Sequence, residues 1–142
     1  MSERNAAFFS LYENLFIILK EEIGEEKALS LFRKIMERGL KAAYDAAGFD
    51  KGRAESFVRA VKGRDERVGL HVELRILSEN RIVYRFHDDP FPGLKGSVDP
   101  HRLDDTYMSF KVGYLLGKGW GYKTTKHLWK NDSCTEFEIT KK

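Results

Sequence analysis

Asp99-Pro100-His101-Arg102-Leu103-Asp104-Asp105-Thr106-Tyr107-Met108-Ser109-Phe110-Lys111-Val112-Gly113-Tyr114-Leu115-Leu116-Gly117-Lys118-Gly119-Trp120-Gly121 leads into two short segments, 122–130 and 134–140, joined by Asn131-Asp132-Ser133. Asp99 is a favoured N-cap, and Pro100 suits the first helical position because its missing N–H would have no intrahelical acceptor. The spacing predicts a helix to about residue 116. Gly117, Gly119 and Gly121 then turn the chain into a closing β-hairpin.

Upstream of that stretch the hydrophobic period is two. Leu70, Val72, Leu74 and Ile76 alternate with His71, Glu73, Arg75 and Leu77. After Ser78-Glu79-Asn80, Ile82, Tyr84 and Phe86 alternate with Arg81, Val83 and Arg85. This predicts an antiparallel hairpin with one packed face and one wet face. Residues 87–98 carry Pro90, Pro92, Gly93 and Gly96 and read as a loop.

The first third is helical. A helix is expected over 5–23, capped by Ser2 or Asn5 and stopped by Gly24. Its apolar residues, from Phe8 to Ile23, cover far more than one stripe, which predicts burial on two sides, the second against another element or another subunit. A second helix is expected over 25–47, opened by Glu25-Glu26 and stopped by Gly48. Gly39 inside it implies close packing. A third is expected over 51–61, ending near Gly63. The fold class is α+β: N-terminal helices packed on a four-stranded antiparallel sheet interrupted by one helix. The chain is expected to form a single domain over 1–142, helical over 1–63, with the sheet and its inserted helix over 69–142.

The 142 residues suffice for one sizeable core, and 42% hydrophobic with 33% charged residues is an ordinary globular balance. The longest apolar run, 15–19, ends at Lys20 and is far short of the roughly 20 residues of a membrane span. The first residues lack the pattern of a signal peptide. A single cysteine, Cys134, forms no internal disulfide, so a cytoplasmic location is expected. Net charge is +3, and the signs interleave, as in Lys62-Gly63-Arg64-Asp65-Glu66-Arg67. Nucleic-acid binding needs a one-signed stripe, so no nucleic-acid partner is expected.

The order of elements, with Ser109, Gly113 and Gly117 on the last helix and Asn131-Asp132-Ser133-Cys134-Thr135-Glu136-Phe137-Glu138-Ile139 in the closing strand, resembles a known superfamily. It holds the 4-vinyl reductase domain and the TRAPP transport-particle subunits, and the chain is also similar to the L-2-amino-thiazoline-4-carboxylic acid hydrolase-like family. The resemblance implies a small-molecule-binding fold, commonly dimeric. Tyr107-Met108-Ser109 and Thr124-Thr125 stand where the 4-vinyl reductase domain often has further cysteines. Phe86-His87-Asp88-Asp89-Pro90 stands where the hydrolase-like family has a cysteine and a proline. Cys134 lies one residue further from Phe137 than is usual. A cysteine-based metal or haem site is therefore not implied.

The polar cluster His87-Asp88-Asp89, with His101, Asp104 and Asp105, is the candidate catalytic site. His87, Asp89 and His101 would serve as base, orienting group or ligands. Two imidazoles with carboxylates also suit Zn²⁺ or Fe²⁺, although no recognised ligand spacing is present and no metal is assigned. The same aspartates equally suit turns and helix starts. Cys134 would be a nucleophile only if His127 faced it across the hairpin; otherwise it is a small packed hydrophobe. Gly113 and Gly117 allow close helix packing. Aromatic residues are numerous, and Tyr84, Phe86, Tyr107, Phe110, Tyr114 and Trp120 are expected to wall a pocket between helices and sheet. The function expected first is binding of a small apolar or aromatic ligand, as a sensor or carrier in a homodimer, with any cofactor left open. The alternatives are a hydrolase of a small cyclic amide-like or thiazoline substrate, and a structural dimer module.

Overall fold

The computed structural model describes residues 3–142, with side chains from Asn5 onward. Among these residues it contains four α-helices and one four-stranded antiparallel sheet, the α+β architecture expected. Helix α1 spans Glu3–Ile23 and α2 spans Glu25–Ala47, broken at Gly24, whose φ of 84° is a left-handed value that glycine adopts without strain. Ser2 lies outside the described residues. Asn5 falls inside the first helix and so does not cap it.

Helix α3 spans Ala54–Arg67 and runs through Gly63 instead of ending there. A mid-helix glycine costs only about 1 kcal/mol relative to alanine, and the apolar face of Phe57 and Val61 continues one turn further to Asp65, which is buried. The stop comes at Gly69, with φ 89°, after which Leu70 N–H returns to the Asp65 carbonyl at 3.0 Å.

Strands β1 (Val72–Ser78), β2 (Arg81–Phe86), β3 (Trp120–Lys126) and β4 (Thr135–Lys141) lie in the order β1-β2-β4-β3. Tyr84 of β2 sits between Leu74 and Phe137 in register, and Ile82 between Ile76 and Ile139. That face packs under the helices. The other carries crossed ion pairs, Arg85 to Glu136 at 2.6 Å and to Glu73 at 3.4 Å among them. Helix α4 (Pro100–Leu115) connects the two hairpins and packs on α2 and β3; the Asp99 carboxylate caps it by accepting Arg102 N–H at 3.0 Å.

The expected strand over 122–130 is shorter at its end. The ladder shifts after Thr124, and side chains take over the backbone groups beyond Lys126. His127 N–H donates to the Asp132 carboxylate at 2.8 Å, and Leu128 N–H to Thr135 Oγ1 at 3.1 Å. Residues Leu128–Lys130 form a 3₁₀ turn closed by Asn131 at φ 66°.

Phe9, Phe16 and Phe32 are buried; Phe9 and Phe32 meet Phe91 of the loop and Phe16 meets Phe32, in edge-to-face contacts with centroids 5.5–5.9 Å apart. Each such buried ring contributes about 1.5–3 kcal/mol of burial. The loop is pinned to α1: Gly93 N–H donates to Glu13, and Lys20 Nζ donates to the Ser97 carbonyl. Only one side of α1 is covered. Leu11 and Ile18 are 67% and 56% exposed, with Phe8 beside them on the helix. No described helix is long and apolar enough to cross a membrane.

Candidate functional site

Between α1, α2, the end of α3 and α4 lies a cavity of about 60 Å³. Phe8, Phe9 and Tyr12 wall it from α1, and Phe86, Pro90 and Phe91 from the end of β2 and the loop. Met36, Gly39 and Leu40 line it from α2, and Gly39 and Phe8 are exposed, which puts the mouth there. A Cβ at Gly39 would meet nothing within 4 Å, so this glycine opens space; the close packing expected of it is absent. The same holds for Gly113.

The floor is polar. Arg64, Asp65, Tyr107 and Lys111 all line the cavity. Lys111 and Asp65 form an ion pair at 3.2 Å, with side chains only 4% and 5% exposed. Lys111 Nζ also donates to the Tyr84 hydroxyl at 2.8 Å, and that hydroxyl donates to Asp65. The ammonium sits 5.1–5.4 Å from the ring centroids of Tyr84, Tyr107 and Phe86, the geometry of cation–π attraction. Burial lowers the Lys111 pKa, and Asp65 works against that shift. Burial raises the hydroxyl pKa of Tyr84 and Tyr107 well above the ordinary tyrosine value, so both remain neutral donors. Two buried polar atoms among the described residues have no hydrogen-bond partner: the Tyr44 hydroxyl and Arg64 Nε.

A second polar set lies on the other side of Tyr107. Its hydroxyl donates to Asp104 Oδ1 at 2.7 Å, and His127 Nε2 meets Asp104 Oδ2 at 2.9 Å. His127 Nδ1 accepts from Trp129 N–H at 3.0 Å, so the ring proton resides on Nε2. A recess of about 10 Å³ lies here, sharing Phe86, Pro90, Phe91 and Tyr107 with the main cavity. Both ring nitrogens of His127 are thus engaged away from Cys134, which is buried.

The residues singled out from sequence fall in different places. Tyr84, Phe86 and Tyr107 surround the Lys111 ammonium. Phe110 and Tyr114 stack on each other at 4.8 Å, and Tyr114 meets Phe49 and Asp45, with neither ring lining the cavity. Trp120 packs at the start of β3. Asp89 accepts from Trp129 Nε1 at 2.6 Å and lines the small recess. His87 pairs with Glu73 at 2.9 Å on the outer face of the sheet. His101 accepts from Lys130 Nζ at 2.9 Å and borders a wide surface recess with Arg33 and Arg102. The structure therefore does not gather His87, Asp89 and His101. No group of three His, Cys, Asp or Glu side chains among the described residues is placed to hold a metal.

Sequence reasoning missed Asp65, Arg64 and Lys111. The available signal was periodicity: Asp65 follows Phe57 and Val61 at steps of four, and Lys111 follows Leu103 and Tyr107 likewise. A charged residue on the apolar face of a helix is either paired or functional.

No family model matches the chain, and no curated protein matches it. Among solved structures it is similar to the crystal structure of the phenol-responsive sensory domain of the transcription activator PoxR with phenol. The TM-score is 0.61 at 13% sequence identity, covering 96% of this chain and 74% of that one. At that identity the likeness is one of fold alone.

Proposed function

We propose that this chain is a small-molecule-binding domain of the sensory kind, within the 4-vinyl reductase-like superfamily, and that the aromatic cavity over Lys111 is its ligand site. One observation carries the reading: an apolar, ring-lined cavity has a few convergent polar groups at its floor, the usual construction of a ligand pocket. The fold likeness to a phenol-responsive domain supports it. An apolar cavity that holds benzene measures about 150 Å³, so a one-ring ligand enters this one by displacing part of its wall. The edge at exposed Phe8 and Gly39, with half-buried Tyr12 beside them, is the part free to give.

The test is thermal unfolding with phenol and other one-ring aromatics. At a hundredfold excess over Kd, binding stabilises by about 2.7 kcal/mol, which raises Tm by several degrees for a chain of this size. Gly39→Leu, which projects into the cavity and improves helix propensity, is expected to keep Tm and lose the ligand shift. No shift with any one-ring compound sinks the proposal.

A second reading concerns assembly. Phe8, Leu11, Leu15 and Ile18 follow the three-four spacing of a helix–helix seam, and Leu11 and Ile18 are exposed. This favours a homodimer through α1. Leu11→Glu with Ile18→Glu is expected to convert the dimer to a monomer in sedimentation equilibrium. A parent chain that sediments as a monomer rules the dimer out. The separate placement of His87 and His101 favours binding over hydrolysis.

A further inference from the structure

We infer that the cavity takes a small aromatic carboxylate, its ring among Phe9, Phe86 and Phe91 and its carboxylate between Arg64 and Lys111. This rests on the binding reading above and specifies its ligand class.

Two cations, Arg64 and Lys111, and one carboxylate, Asp65, line the cavity. Asp65 is fully engaged, accepting from Lys111 and from the Tyr84 hydroxyl. The nearby Asp104 is held by Tyr107 and His127 on the far side of the Tyr107 ring. The walls therefore carry one positive charge, on half-buried Arg64, that no acid among the described residues pairs with. The guanidinium lies close enough to Lys111 to act with burial in lowering its pKa, so the two cations repel. Arg64 Nε is buried without an acceptor, and an unmet buried donor is costly. The three donors of the Lys111 ammonium reach the Tyr84 hydroxyl at 2.8 Å and the two Asp65 oxygens at 3.2 and 3.5 Å, and the last of these is too long to satisfy its donor.

A carboxylate answers each of these deficits. It brings one negative charge and two oxygens that accept charge-assisted hydrogen bonds from guanidinium and ammonium. A neutral amide of the same shape brings one acceptor and no charge. An amine meets two cations.

The experiment is calorimetric titration of the full chain with benzoate, benzamide and phenol at neutral pH. Benzoate is expected to bind at least tenfold more tightly than benzamide. Arg64→Gln, checked for an unchanged urea midpoint, is expected to narrow that ratio to within about threefold. Benzamide binding as tightly as benzoate, or a ratio unmoved by Arg64→Gln, overturns the inference. Binding of phenol or benzamide without benzoate overturns it too while leaving the binding reading intact. No binding by any of the three removes both.

Discussion

Lys111 and Asp65 set the chemistry of the interior, and each depends on the other. Removing one partner of a buried ion pair leaves a buried charge unmatched, so Lys111→Met is expected to cost about 3–5 kcal/mol in urea unfolding. The double substitution Lys111→Met with Asp65→Leu is expected to recover most of that loss, because the deficit lies in the orphaned carboxylate. Steps of four from Val61 and from Tyr107 put both residues on the apolar faces of their helices, but their charge reads as solvent-facing. Asp65 sits in a run of alternating charges that reads as a solvated surface, and Gly63 hides the continuity of its helix. Asp105 acts differently. Burial pushes its carboxyl pKa up, but hydrogen bonds from Ser109, Tyr122 and Arg33 outweigh that and hold it below the usual value. A carboxyl depressed on folding contributes stability that is complete above about pH 4, its unfolded value, and is lost as pH falls through the lower folded one. Asp105→Asn is therefore expected to lower stability at neutral pH and to flatten its fall in acid, read by urea midpoints between pH 3 and 7.

Element order followed directly from the sequence because the hydrophobic period changes from helical to alternating and back, and because Asp99-Pro100 marks a helix start unambiguously. Asp99→Ala is expected to cost about 1 kcal/mol through the lost cap on Arg102 N–H. Boundaries failed where side chains, not periodicity, decide them. Helix α3 outlasts its glycine because Asp65 is pulled into the core. Strand β3 ends early because Asp132 and Thr135 capture the next backbone donors. The surplus apolar face of α1 was legible, and this chain's own elements leave it partly exposed.

At the scale of the molecule, the core was legible and the cavity only in part: Phe86 and Tyr107, expected to wall a pocket, line it. Core positions repeat locally, whereas Tyr12, Gly39, Asp65 and Lys111 come from four separate stretches and meet only in the assembled fold. For the same reason the histidines adjacent to loop carboxylates attracted notice, although each holds its own partner at a different place. Phe8 belongs to two surfaces at once: its ring walls the cavity mouth, and its helix position begins the exposed seam of α1. If the proposed ligand binding and the proposed pairing through α1 both move Phe8, the two are thermodynamically linked. Whatever factor a bound molecule imposes on self-association by shifting Phe8, self-association imposes on the affinity for that molecule. Occupancy of the cavity and the number of chains in the particle would then be one signal read at two ends.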